Sequence, residues 1–134
     1  MLHYKLDDIT NGVLDSSGYN NNGTIVGTCT AVESPPRYSS AISMNNTSTT
    51  NHIETTNDIT FSDNISVSFW VKSALSNQVI FASKYIEFGI LNSLGYVNPS
   101  ASASYQLSSY FTANEWNHIC VVKNAGTFTL YVNG

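Results

Sequence analysis

The chain is 134 residues long with a mass of 14.6 kDa, enough for one domain with its own apolar core and short for two. Only 10% of residues are charged, the net charge is −4, and the five dispersed basic residues, with Arg37 the single arginine, do not form the clustered surface that tracks phosphates, which argues against nucleic-acid binding. A hydrophobic share of 42% with eight Tyr and six Phe argues against disorder, and no apolar run approaches the roughly 18 residues of a membrane span.

Taken in chain order, the segments read as short strands separated by turn chemistry. Leu2–Leu6 alternates with period two and predicts a strand, followed by Asp7-Asp8 and the turn-prone Asn11-Gly12. Residues 15–23, DSSGYNNNG, predict a long loop, because Asp, Asn, Ser and Gly tolerate left-handed backbone and bond to their own main chain. A strand is expected over Thr24–Thr30, with Pro35-Pro36 blocking regular pairing after it. Ser40–Met44 and His52–Glu54 follow as strands, and Asn57–Ser62 is the one place for a brief helical turn. Ile65–Lys72 is the clearest strand, with Ile65, Val67, Phe69 and Val71 on one face and Ser66, Ser68, Trp70 and Lys72 on the other.

Further strands are expected over Gln78–Ala82, Tyr85–Leu91, Tyr96-Val97, Ser104–Leu107, Trp116–Lys123 and Thr127–Val132. Asn124-Ala125-Gly126 joins the last two as a hairpin, and Asn133-Gly134 is a second hairpin signal at the end of an alternating run. Short strands at this spacing without helical periodicity define an all-β antiparallel sandwich or barrel, read as one domain over residues 1–134. Cys29 and Cys120 lie in strand-like runs and read either as two buried thiols or as one disulfide. The opening residues lack the basic, apolar and small-residue order of a secretory leader.

Three blocks together resemble a known family: HYKLDD with DSSGYNNNGTIVG; SAISMNNTSTTNHIET with NISVSFWVKS; and FTANEWNHICVVKNAGTFTLYVNG. Their order and spacing are similar to the concanavalin A-like jelly rolls of the laminin G-like, pentraxin-related family. The resemblance implies a two-sheet sandwich in which a motif like Tyr131-Val132-Asn133-Gly134 is followed by further strands. On that basis strand Leu2–Leu6 and strand Phe128–Val132 are expected to lack neighbours, supplied by a second chain or another segment.

Jelly rolls of this kind include glucanases, and retaining glycosidases need two carboxylates about 5–5.5 Å apart. No two of the nine acidic residues alternate along one predicted strand, so an enzyme is not expected. Glu115 and His118 are three apart, but on a strand entry they face apart, and both read as structural. Laminin G-like domains often hold calcium through loop oxygens, and the candidate ligands here are Asp7, Asp15, Asn20 and Asn22, set against a self-bonded Asx turn at residues 15–18. The family's acidic turn after the third strand is replaced by Asn45-Asn46-Thr47-Ser48, a departure that weakens the carried-over site.

Sugar recognition calls for exposed aromatic faces, and Tyr19, Tyr38, Tyr96, Tyr105 and Tyr110 lie in or near loops rich in Asn and Ser. The expected function is a non-catalytic module that binds a glycan or a surface protein outside a cell or on a virion. The other reading is a decoration or fibre domain of a phage particle, whose strands serve assembly.

Overall fold

A computed structural model describes residues 1–33, 39–44, 50–60, 64–74, 78–83, 87–91, 94–98, 103–106 and 110–134. Every regular element in them is a β-strand, and all strand pairs are antiparallel. The chain forms two units, residues 1–60 and 61–134.

The first unit holds β1 (Gly23–Val26), β2 (Cys29–Val32), β3 (Ala41–Met44) and β4 (His52–Thr55), paired as two short ribbons, β1 with β4 and β2 with β3. The strand expected over residues 24–30 is two strands, because Gly27 has a φ of +84°. A Cβ at Gly27 would run into the Asn51 amide oxygen, which accepts the Thr28 N–H, so the corner demands glycine. Leu2–Leu6 does not form the expected strand. It makes one antiparallel bridge, Tyr4 with Asp15, and Leu6 leaves the extended region with a φ of 62°. The alternation there is real, but the His3 N–H goes to the Asp15 side chain instead of a neighbouring strand. The helical turn expected from Asn57 is also absent over 57–60; residues 61–63 lie outside the described residues.

The second unit contains β5 (Ile65–Lys72), β6 (Gln78–Ala82), β7 (Glu87–Leu91), β8 (Leu94–Asn98), β9 (Ala103–Gln106), β10 (Trp116–Asn124) and β11 (Thr127–Val132). They make a three-stranded sheet, β11-β10-β5, and a four-stranded sheet, β6-β7-β8-β9. The core lies between them. Phe88 and Ile90 of β7, Phe111, and Ile119 and Val121 of β10 are buried, with Ile65, Phe69, Val71, Ile80, Phe81, Phe128, Leu130 and Val132 packed against them. Phe69 and Phe88 meet with ring centroids 5.7 Å apart, tilted by 56°. The two inner faces interdigitate as in a β-sandwich.

Period-two patterning decides which face turns inward. In β5 the residues Ile65, Val67, Phe69 and Val71 are the less exposed set, as the alternation predicts. In β10, where both faces carry apolar side chains, burial falls on Asn117, Ile119 and Val121. Register supplies the choice, since Ile119 stands opposite Phe69 and Val132, and Val121 opposite Val67 and Leu130. The turn between β10 and β11 is a two-residue loop, Ala125-Gly126, with φ of 46° and 80°, the pattern of a type I′ turn.

Candidate functional site

Two places gather polar or aromatic side chains, one in each unit. In the first, Asp15 anchors the loop. Its Oδ1 accepts the N–H groups of His3 and Ser17, and its Oδ2 accepts the Ser17 hydroxyl at 2.7 Å and the Asn21 N–H. Partial burial pulls its pKa up, but the hydrogen bonds from the Ser17 hydroxyl and from the His3, Ser17 and Asn21 amides outweigh that and hold the carboxyl well below the usual carboxylate range. Four donors fill the four lone-pair sites of a carboxylate. The Asn22 amide oxygen accepts the Asp15 N–H, while its carbonyl accepts the Thr56 N–H and hydroxyl. Asn20 is exposed at a φ of 57°. Asp7 is exposed, and its carbonyl accepts the Ser40 hydroxyl. Calcium needs six to eight oxygens, and the oxygens gathered around Asp15 already accept N–H and O–H groups, so as arranged this set does not fit its coordination shell. Among the described residues no three His, Cys, Asp or Glu side chains gather as a metal site.

Tyr4 closes the same loop by donating its hydroxyl to the Asn21 carbonyl at 2.7 Å. Burial raises its pKa, and the neighbouring Asp15 charge adds to the effect. The Cys29 thiol is likewise pushed up by burial. Neither Cys29 nor Cys120 is in a disulfide.

The five predicted tyrosines fall on different parts of the chain. Tyr19 lies exposed in the Asp15 loop of the first unit, and Tyr110 is 69% exposed in the second. Tyr96 is on β8 opposite Ser104, Tyr105 is on β9 opposite Gly95, and Tyr38 lies outside the described residues.

What the structure does bring together was not singled out from the sequence. On the solvent side of the three-stranded sheet, Trp70 stands opposite His118, and Ser68 and Tyr131 both stand opposite Cys120. The Trp70 and His118 rings are 5.2 Å apart and tilted by 51°. The Ser68 hydroxyl and His118 Nε2 share a hydrogen bond of 2.8 Å. Trp70 is 41% exposed and Tyr131 48%. Lys72, opposite Trp116, ends this face, and the residues it draws from β5, β10 and β11 include no carboxylate. The signal was present in the alternation of β5 and β10; only the antiparallel register of β5 against β10 makes neighbours of residues about fifty positions apart.

Behind this face an amide network fixes the end of the sheet. Asn117, almost fully buried, donates to the carbonyls of Thr112 and Glu115, while its oxygen accepts the Thr112 N–H and the Asn133 side-chain amide. Asn133 in turn pairs with His118: its N–H goes to the His118 carbonyl, and its side-chain oxygen accepts the His118 N–H. Its left-handed φ of 58° places both groups within reach. The His118 backbone is therefore bonded on the β11 side even past the last strand residue. Glu115 joins this network through its backbone, its carbonyl accepting from the Asn117 amide and its N–H donating to the Thr112 carbonyl.

The molecule is thus an all-β protein of the antiparallel sandwich class with an aromatic and hydroxylated sheet face. Residues 46–134 match the model of the concanavalin A-like lectin/glucanases superfamily, of laminin G type, and the chain belongs to that family. The match takes in β4 and the whole second unit, and it does not extend over residues 1–45. No curated protein and no solved structure matches the chain. The superfamily is one of carbohydrate-binding type, which turns attention to the sheet face just described.

Proposed function

We propose that the chain is a non-catalytic carbohydrate-recognition module whose ligand lies on the solvent side of the β5-β10-β11 sheet. The observation that carries this reading is the pairing of exposed Trp70 and Tyr131 with the hydrogen-bonded Ser68 and His118 on one face. Sugar rings present apolar C–H faces and equatorial hydroxyls; an indole or phenol covers the first, and a Ser–His pair satisfies the second. Glycosidic cleavage calls for two carboxylates, and this face draws none from its three strands. The fold alone does not assign the ligand, so the argument rests on the site.

A module of this kind works where glycans are displayed, on the outside of a cell or virion. Among the described residues β11 pairs only with β10, and a strand from a second chain or segment beside it is part of the proposal. The test is a glycan array probed with the full chain, in calcium and in chelator, against the Trp70→Ala variant. Binding that survives the chelator and falls by about tenfold or more in the variant is the expected result, a difference of about 1.4 kcal/mol. No sugar bound above background, or equal binding by Trp70→Ala, would overturn it.

A further inference from the structure

The register of the sheet sets how far apart the two exposed aromatic residues stand, and that distance selects a ligand class. Trp70 is on β5 and Tyr131 on β11, with β10 between them. Two strand spacings are about 10 Å, and the step from the row of Trp70 and His118 to the row of Ser68, Cys120 and Tyr131 is one same-face repeat of about 7 Å, so the two Cα positions lie about 12 Å apart on a diagonal. With strand side chains standing roughly perpendicular to the sheet, that separation exceeds the width of one sugar ring. In an extended glycan that span is close to the distance between the first ring and the third. The line joining them crosses β10 between His118 and Cys120, beside the Ser68 hydroxyl, where a middle ring would find hydrogen-bonding groups and no aromatic face.

We infer that this face binds an internal stretch of a linear, extended glycan, at least three rings long, with one ring stacked on Trp70, one on Tyr131 and the ring between them hydrogen-bonded at Ser68 and His118. The inference rests on the carbohydrate reading and sharpens it from sugar in general to ribbon-like polysaccharide. Three features of the surface agree with that occupant. The face belongs to a sheet and presents a broad surface, which a ribbon can lie along. It offers aromatic groups on both outer strands, so a ligand is gripped at two points. Its basic groups are His118 and Lys72, with no Asp or Glu contributed by the three strands, in a chain of net charge −4. That local charge admits neutral or acidic polymers and disfavours amino-sugar polymers that carry positive charge.

The framework behind the face keeps the two grips in register. β5 and β11 are tied to opposite sides of β10, through pairing from Trp116–Lys72 to Lys123–Ile65 on one side and from Ile119–Val132 to Asn124–Thr127 on the other. Asn133 extends the β11 side to His118, the residue whose ring lies against Trp70. A site carried on paired strands holds its spacing better than one carried on loops.

The test is a length series. The full chain is screened by affinity electrophoresis against soluble cellulose derivatives, xylan, mannan and polygalacturonate, and calorimetry then follows oligosaccharides of one to six rings from the best polymer. Affinity should climb steeply up to three or four rings and level off beyond. Trp70→Ala should lose about tenfold or more at every length that binds. Tyr131→Ala, a change at an exposed position that leaves the melting temperature in place, should match the parent for one and two rings and lose about tenfold only from three rings upward. A single ring that binds as tightly as the longer ones, or a Tyr131→Ala variant that keeps full affinity for the long ones, overturns the inference while leaving the carbohydrate reading intact. Absence of binding at every length, together with a blank glycan array, removes both.

Discussion

The two units are held together by different means. In residues 1–60 the strands have four residues each, only Val13 and Ala41 among the described hydrophobic residues are buried, and long-range order comes from side chains bonding to main chain: Asp15 to His3 and Asn21, Tyr4 to Asn21, Asn22 to Asp15, Ser40 to Leu6 and Asp7, Asn51 to Thr28. In residues 61–134, β5 and β10 run for eight and nine residues, and an apolar core of Phe88, Ile90, Phe111, Ile119 and Val121 lies between two sheets. The first unit therefore depends on a few specific polar groups and backbone corners, and the second on buried area. A hydrogen bond contributes about 0.5–1.5 kcal/mol net, against about 1.5–3 kcal/mol for fully burying a large apolar side chain, so the second unit should be the more robust.

The largest test of that difference is Ile119→Ala. Ile119 is fully buried at the centre of the second unit's core, where truncation leaves a cavity between Phe69 and Val132. The expected loss is about 2–5 kcal/mol. Both tryptophans, Trp70 and Trp116, lie in this unit, so fluorescence during denaturant unfolding reports it directly. A loss below 1 kcal/mol would mean that the core repacks freely, and the contrast between the units would fail.

Gly27→Ala is the matching break in the first unit, and it removes nothing apolar. The new Cβ meets the Asn51 amide at a φ of +84°. The strain is worth about 1–3 kcal/mol, and hydrogen exchange should accelerate most in β1, β2 and β4. Unchanged exchange there would show that the corner relaxes and that the polar framework is not what fixes it.

Acid distinguishes the units through Asp15. Its folded carboxyl holds a proton more weakly than an ordinary aspartate, whose pKa is about 3.9, so the unfolded chain takes up the proton first. The contribution is complete above that ordinary value and is lost progressively as the pH drops below about 4. Exchange in residues 1–22 should rise over that range, and Asp15→Asn, which trades an acceptor oxygen for a donor amide, should show the loosened loop already at pH 7. A flat pH response down to pH 3 would break this reading.

The same contrast explains what could be read from the sequence. The second unit was legible because its strands obey period two: the Ile65–Lys72 alternation gave both the strand and its inward face, and Asn124-Ala125-Gly126 gave the hairpin. In the first unit, Leu2–Leu6 shows the same alternation and makes one bridge, because the decisive partner is the Asp15 side chain and no periodicity encodes it. The residues of the sheet face were assigned to faces but not to neighbours, since Trp70 and His118 meet only through register. Tyrosines in Asn- and Ser-rich loops stand out in one dimension because loop composition is visible there and cross-strand contact is not.

The smallest expected effect concerns the turn that fixes the register of β11 against β10. Ala125 occupies a left-handed φ of 46°, a region that costs a Cβ-bearing residue about 1–2 kcal/mol unless its side chain bonds locally, as Asn does. Its N–H is held by the Asn64 amide oxygen at 3.0 Å, so the backbone must keep this conformation for the hairpin to close against the entry of β5. Ala125→Asn produces the Asn-Gly pair that type I′ turns favour without disturbing the N–H. The variant should gain about 0.5–1 kcal/mol and melt a few degrees higher, with the gain reported by tryptophan fluorescence. Because the turn sets which residue of β11 faces which of β10, the same variant should leave the affinity for a long glycan unchanged; a gain in stability with a loss of binding would mean that the register, and with it the spacing of Trp70 and Tyr131, is not the one the Ala125-Gly126 turn sets here.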